Sequence, residues 1–321
     1  MLKRCALSLA VLLCACGGAE STPDQTGQTD ELIQAGTPHL LPLDQGGPGN
    51  TAAATHLDYY GGRVLANVEV VAVFWGASVN GEVMNEMPGF YSAVTQSSYF
   101  DWLSEYDTDR AAVSGDPGTQ QKIGRGSLKG AFTISPKHDG TSVTDALIER
   151  ELSAQIKAGK LPKPSADTIY LISFPPGVQI DLGGSRSCES GGFCAYHSTF
   201  KRGGKTIAYG VLPDFGAGSG CDTGCGHASR QFDNQTAVAS HELIEAVTDA
   251  DVGLGGNTIG PPLAWYDAKR GEIGDVCNAR QGKLRTKGGK SFVIQKEWSN
   301  KARACIASRG KGGASDEALE E

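Results

Sequence analysis

The run from Ala237 through Ser240, His241, Glu242, Leu243, Ile244, Glu245, Ala246, Val247 and Thr248 to Asp249 places ionisable side chains inside an otherwise apolar helical stretch. Asp233 or Asn234 is positioned to cap its start. At about 100° per residue, His241, Glu245 and Asp249 fall one turn apart on a single face, with Glu242 beside it. Acids and an imidazole crowded onto a helix that must also bury its apolar neighbours repel one another and are costly to desolvate. A divalent cation removes that cost. The stretch is therefore expected either to hold a metal or to present a solvated acidic stripe.

A His-Glu pair with a second ligand one turn on is the layout of the zinc-protease helix, here with Glu245 in place of the second His. Zinc accepts carboxylate oxygen. In that similarity His241 and Glu245 bind Zn2+ and Glu242 is the general base toward water. The third ligand stays open among Asp249, Asp251, Glu272 and Asp275. Asp249, Asp267, Glu272 and Asp275 are also hard oxygen donors, so Ca2+ is the alternative ion.

The beginning of the chain bears on compartment. Met1-Leu2-Lys3-Arg4 is basic, an apolar run follows to Leu13, and Ala15 precedes Cys16. This resembles a bacterial lipoprotein leader over 1–15, with Cys16 as the lipid-bearing residue. The expected location is an exported, membrane-anchored lipoprotein, periplasmic or on the outer surface, with release from the cell as a variant. Residues 16–54, rich in Gly, Thr, Gln, Asp and Pro, read as a disordered tether. In an oxidising compartment Cys188, Cys194, Cys221, Cys225, Cys277 and Cys305 are expected to form disulfides. The pairing expected from proximity is Cys188–Cys194, Cys221–Cys225 and Cys277–Cys305. A zinc ribbon from Cys221, Cys225 and His227 is the less favoured use. His197 and His227, beside cysteines in glycine-rich segments, read first as structural or exposed, with contact to a site as the alternative because imidazole is the commonest metal ligand.

Strands are expected over 68–75, 127–134, 167–174, 206–212 and 291–298, and helices over 90–105 and 143–158, the latter stopped by Gly159. The fold class that follows is α/β or α+β: a single domain over 55–308 with a mixed sheet and a zincin-like helix packed on it. The tail over 309–321 reads as polar and frayed, and the glycine-rich segment 253–260 as a loop. A net charge of −7 with scattered basic residues excludes a nucleic-acid partner. No Walker A loop or G-x-S-x-G elbow occurs.

Further residues carry a resemblance. Gly192-Phe193-Cys194-Ala195-Tyr196-His197, the Gly220 to His227 segment, His241-Glu242-Leu243 with Glu245-Ala246, Thr248-Asp249, Trp265-Tyr266, and Glu272-Ile273-Gly274-Asp275 with Cys277 resemble the EXORDIUM-like, phosphate-induced family of secreted proteins. The likeness runs over about 68–306 and implies an extracellular location. Two functional expectations follow. One is an exported metal-dependent hydrolase, a zinc metallopeptidase acting on extracellular protein or peptide. The other is a non-enzymatic EXORDIUM-like surface module with a structural metal, binding cell-wall glycan through Trp265 or Tyr266.

Overall fold

The computed structural model describes residues 33–34, 39–42, 55–254, 259–310 and 313–320, and its centre is a mixed sheet. The leader 1–15, Cys16, most of the 16–54 segment and residues 255–258 lie outside the described residues. Leu32–Glu321 forms one unit of the chain, and Met1–Glu31 is counted apart from it.

The sheet contains β1 (Ile33–Gln34), β2 (His39–Pro42), β3 (Glu69–Trp75), β4 (Ser127–Ile134), β5 (Thr168–Ser173), β6 (Phe193–Arg202) and β7 (Lys205–Leu212). β1 and β2 both pair with β6, and the order continues through β7, β5 and β3 to β4. The β4, β3, β5 and β7 pairings are parallel, while β6 runs antiparallel to β7, β1 and β2. The expected tether thus contributes two short strands to the sheet edge.

β3 shows why the sheet sits where it does. Its run Val70-Val71-Ala72-Val73-Phe74-Trp75 is buried throughout, as a strand covered on both faces requires. Val70, Ala72 and Phe74 join one apolar core, and Val71, Val73 and Trp75 join the other. Residues two apart share a face, so each core takes alternate side chains. The first core is closed by α1 (Gly81–Thr95) and α3 (Gln231–Thr248), through Met87, Phe90, Leu243, Ile244 and Val247. The second is closed by α2 (Asp145–Lys157), through Ile148 and Leu152. The architecture is a single α+β domain with helices on both faces of a mixed sheet.

The helix expected over 90–105 is the end of α1, which begins at Gly81, followed by a break and a short helix, Ser98–Asp101, that tightens into a 3-10 turn over Trp102–Tyr106. The Asn80 side chain accepts the Glu82 N–H and starts α1, and Ser97 restarts the chain by accepting the Tyr99 N–H. α2 begins after Ser142–Thr144, which pairs as a strand with Gln179–Leu182; Gly159, at φ +69°, follows its end. The strand expected over 291–298 is split into β9 (Ser291–Gln295) and a short strand, Glu297–Ser299. β9 pairs with β8 (Gln281–Arg285), and β10 (Glu317–Leu319) joins the other side of β8 in parallel. The tail is therefore paired, not frayed, where it is described.

The sulfur chemistry corrects the proximity pairing. Cys188 bonds Cys221 and Cys194 bonds Cys225, while Cys277–Cys305 is as expected. The loop ahead of α3 folds back over the start of β6, so each cysteine there meets one about thirty residues away. Closing loops of that length restricts the unfolded chain by on the order of 3–4 kcal/mol each. Three disulfides fit an oxidising, extracellular compartment. No described helix is long and apolar enough to cross a membrane.

Candidate metal centre

The site is built on α3, which is buried from Asn234 to Thr248 on every side because it lies between the sheet and β9. It starts earlier than the sequence suggested, with Arg230 as N-cap, and Asp233 sits in its first turn. His241 and Glu245 share a face as expected, with His241 Nε2 at 3.0 Å from Glu245 Oε2.

His197 comes to this face from β6. Its Nδ1 lies 3.0 Å from Glu242 Oε2 and 3.6 Å from Glu245 Oε2, and its Nε2 lies 3.5 Å from Glu272 Oε2. The reading of His197 as a bland structural residue is thereby corrected. The missed signal was a strand: residues 193–200 are buried on both faces and show no polar alternation. His227 is elsewhere, lining a neighbouring cleft.

Glu272 and Asp275 arrive from the loop that follows the Asp267–Gly271 turn. Glycines let that loop lie against α3. A Cβ on Gly274 would stand 2.5 Å from His241 Nδ1 and 2.8 Å from Glu245 Oε1. Gly271, at φ +91°, leaves no room either, since its Cβ would meet Asp275 Oδ2 at 2.0 Å. The loop is held by Asp275 N–H donating to Glu245 Oε1 at 3.0 Å and by Glu272 N–H donating to Asp275 Oδ2 at 3.0 Å. Cys277–Cys305 ties down its far end.

Two ligand-type sets result. Atoms of His197, Glu245 and Glu272 lie within 4.8 Å of one another, as do those of His241, Glu245 and Asp275. Asp249 joins neither set. It terminates α3 with non-helical φ and ψ, so the face it would share by periodicity no longer applies, and its Oδ1 accepts the Ala264 N–H at 3.0 Å. Asp251 pairs with Arg63 at 2.9 Å. Asp267 accepts the Lys269 and Arg270 N–H groups and shapes the turn.

Gln295, from the end of β9, was not anticipated. Its Nε2 donates to Gly274 O at 2.9 Å and lies 2.7 Å from His241 Nδ1. In that orientation the amide donates to Nδ1 and a neutral imidazole carries its proton on Nε2, toward Glu245. Metal ligation through Nε2 requires the proton on Nδ1 and the amide oxygen turned toward it, the usual outer partner of a ligating histidine.

Burial defines the electrostatics. His241, Glu242 and Glu272 are 0 % exposed, His197 1 % and Glu245 2 %. Burial alone would lower both imidazoles, but the neighbouring carboxylates outweigh it and hold them well above their ordinary range: Glu272 and Glu242 for His197, Glu245 for His241. Burial pushes Glu242 up, against the pull of both histidines. Burial and the charge of Glu245 raise Asp275 to about 8. Glu297, also missed by the sequence reading, is raised by burial to about 8, with Tyr99 OH donating to it at 2.8 Å.

The donor set fits a divalent cation: imidazole nitrogen and carboxylate oxygen suit zinc, and Glu242 Oε1 is fully buried without a hydrogen-bond partner. A cleft of about 190 Å³ is lined by Gln295 together with Leu41, Pro42, Val238 and the Cys194–Cys225 bridge. Trp265 is 3 % exposed, packs against Tyr59 and Tyr106, and donates its indole N–H to Tyr106 O. It offers no open face to a sugar. No family model matches this chain, and nothing among curated proteins or solved structures matches it.

Proposed function

We propose that the protein is an exported, lipid-anchored, metal-dependent hydrolase of the zinc-peptidase type. The observation that carries this reading is the convergence of His197, His241, Glu245, Glu272 and Asp275, from one helix, one strand and one loop, in a buried space that also holds Glu242. A bound cation would supply Lewis acidity and make water a better nucleophile at neutral pH. Glu242 is the residue to take the proton from that water, since burial already raises its proton affinity. His197 Nδ1, 3.0 Å from Glu242 Oε2, orients that carboxylate by donating its N–H to it. The substrate class that suits the chemistry is an extracellular peptide or protein.

The test is metal analysis of the purified chain together with Glu242→Gln. The expected result is stoichiometric zinc in both proteins, with hydrolysis of an unstructured protein substrate lost in the variant. Absence of zinc, calcium or another divalent ion from native protein refutes the reading. Anchoring is tested separately: Cys16→Ser should move the protein from the membrane to the soluble fraction.

One observation favours a second reading, an EXORDIUM-like surface module with a structural metal. The ligand-type side chains His197, His241, Glu245 and Glu272 are at most 2 % exposed, as in a closed site, whereas a catalytic ion keeps a position open to substrate. Under this reading Glu242→Gln changes no activity and chelation lowers the melting temperature. The glycan-binding version has less support, because none of the exposed large apolar residues described is aromatic.

A further inference from the structure

The two imidazoles of the centre do not meet at one point. His197 groups with Glu245 and Glu272, His241 groups with Glu245 and Asp275, and no such set among the described residues contains both histidines. Ligands about 2.0–2.2 Å from an ion lie no more than about 4.4 Å from each other, twice that distance. The atoms of each set lie within 4.8 Å of one another, so a closure of at most a few tenths of an ångström gives each set the size of one coordination sphere. The residue common to both is Glu245, whose Oε2 lies 3.0 Å from His241 Nε2 and 3.6 Å from His197 Nδ1. Its Oε1 is fixed by the Asp275 N–H at 3.0 Å, so Oε2 is held between the imidazoles.

An independent observation concerns charge. Glu242 is 0 % exposed, its Oε2 lies 3.0 Å from His197 Nδ1, and its Oε1 has no hydrogen-bond partner. With Glu245, Glu272 and Asp275 it makes four carboxylates around two imidazoles. With both imidazoles neutral and Glu245, Glu272 and Asp275 deprotonated, as ligation requires, and Glu242 ionised, as a base must be, one dication leaves a formal excess of two negative charges in this buried space. A pair of dications balances the set, and removing uncompensated buried charge is strongly favourable.

We propose that the centre is binuclear, with one divalent cation held by His197 and Glu272, a second held by His241 and Asp275, and Glu245 bridging them. This rests on the metal-centre reading above and sets its stoichiometry. Paired ions about 3.5–4 Å apart form a clamp suited to hydrolytic displacement.

The experiment is a titration of chelator-stripped, full-length protein with Zn2+, followed by calorimetry and by elemental analysis after dialysis. The native chain should take up two equivalents, and Glu272→Gln and Asp275→Asn should each take up one. Because a buried substitution can unfold the chain, the native protein is also loaded with Mn2+ and examined by electron paramagnetic resonance. A carboxylate-bridged pair gives an exchange-coupled spectrum, in contrast to that of isolated ions. One equivalent of Zn2+ on the native chain, or an isolated-ion spectrum at full loading, overturns the binuclear centre and leaves a mononuclear one standing. No uptake overturns both.

Discussion

Gly274→Ala is the most discriminating substitution in this molecule. The added Cβ would lie 2.5 Å from His241 Nδ1 and 2.8 Å from Glu245 Oε1. Ordinary carbon contacts begin near about 3.5 Å, so the loop or the ring must move by roughly 1 Å. The ring has little freedom, being 0 % exposed and contacted by Gln295 at 2.7 Å. Overpacking of this kind costs about 1–3 kcal/mol, which corresponds to roughly 2–4 °C of melting temperature per kcal/mol in a large domain. The larger effect falls on the ligands, because a site displaced by more than about 0.5 Å loses its productive geometry. The expected outcome is a folded protein with a modest thermal shift and metal affinity reduced by at least about tenfold, an energy of about 1.4 kcal/mol. Chelator-competition titration and differential scanning calorimetry on the same sample measure the two effects. Native metal affinity in Gly274→Ala would refute the placement of the 272–275 loop against α3.

Gln295→Leu removes the outer partner of His241 and should lower metal affinity by about 10–100-fold while leaving the disulfides intact; an unchanged affinity in competition titration would show that the amide does not orient the ring. Non-reducing peptide mapping should recover Cys188 linked to Cys221 and Cys194 linked to Cys225, and replacing both members of either pair by alanine should destabilise the chain by about 2–5 kcal/mol in denaturant titration. The Glu297 prediction concerns pH. Its folded pKa is raised from 4.5 to about 8, so the folded chain holds this proton more tightly than the unfolded chain. That contribution to stability is complete below about pH 4.5 and is lost as pH rises through 8. Metal-free Glu297→Gln should therefore gain in melting temperature relative to wild type between pH 5 and pH 9, on the order of several degrees by the usual relation between proton affinity and stability; a difference independent of pH would contradict the burial of this carboxyl.

By itself the sequence determined the elements whose signals are local. The β-branched run ending at Trp75 reads as a buried strand from its residue types, and the spacing of His241 and Glu245 put both on one helix face before any fold was known. Side-chain period is a property of backbone geometry, so neighbours along one element are readable in advance. Only the tertiary structure decided what came to that face from elsewhere. His197 on β6 and Gln295 on β9 are each tens of residues from His241 in the chain and reach it through strand order and layer packing, about which spacing is silent. The same holds for Cys188 and Cys194, which cross over to Cys221 and Cys225 because a loop folds back on the sheet. Asp249 marks the boundary between the two kinds of information. Its helical period pointed it at the site, but α3 ends there and the carboxylate accepts the backbone N–H of Ala264, because a buried loop donor must be satisfied by an acceptor that the fold brings beside it.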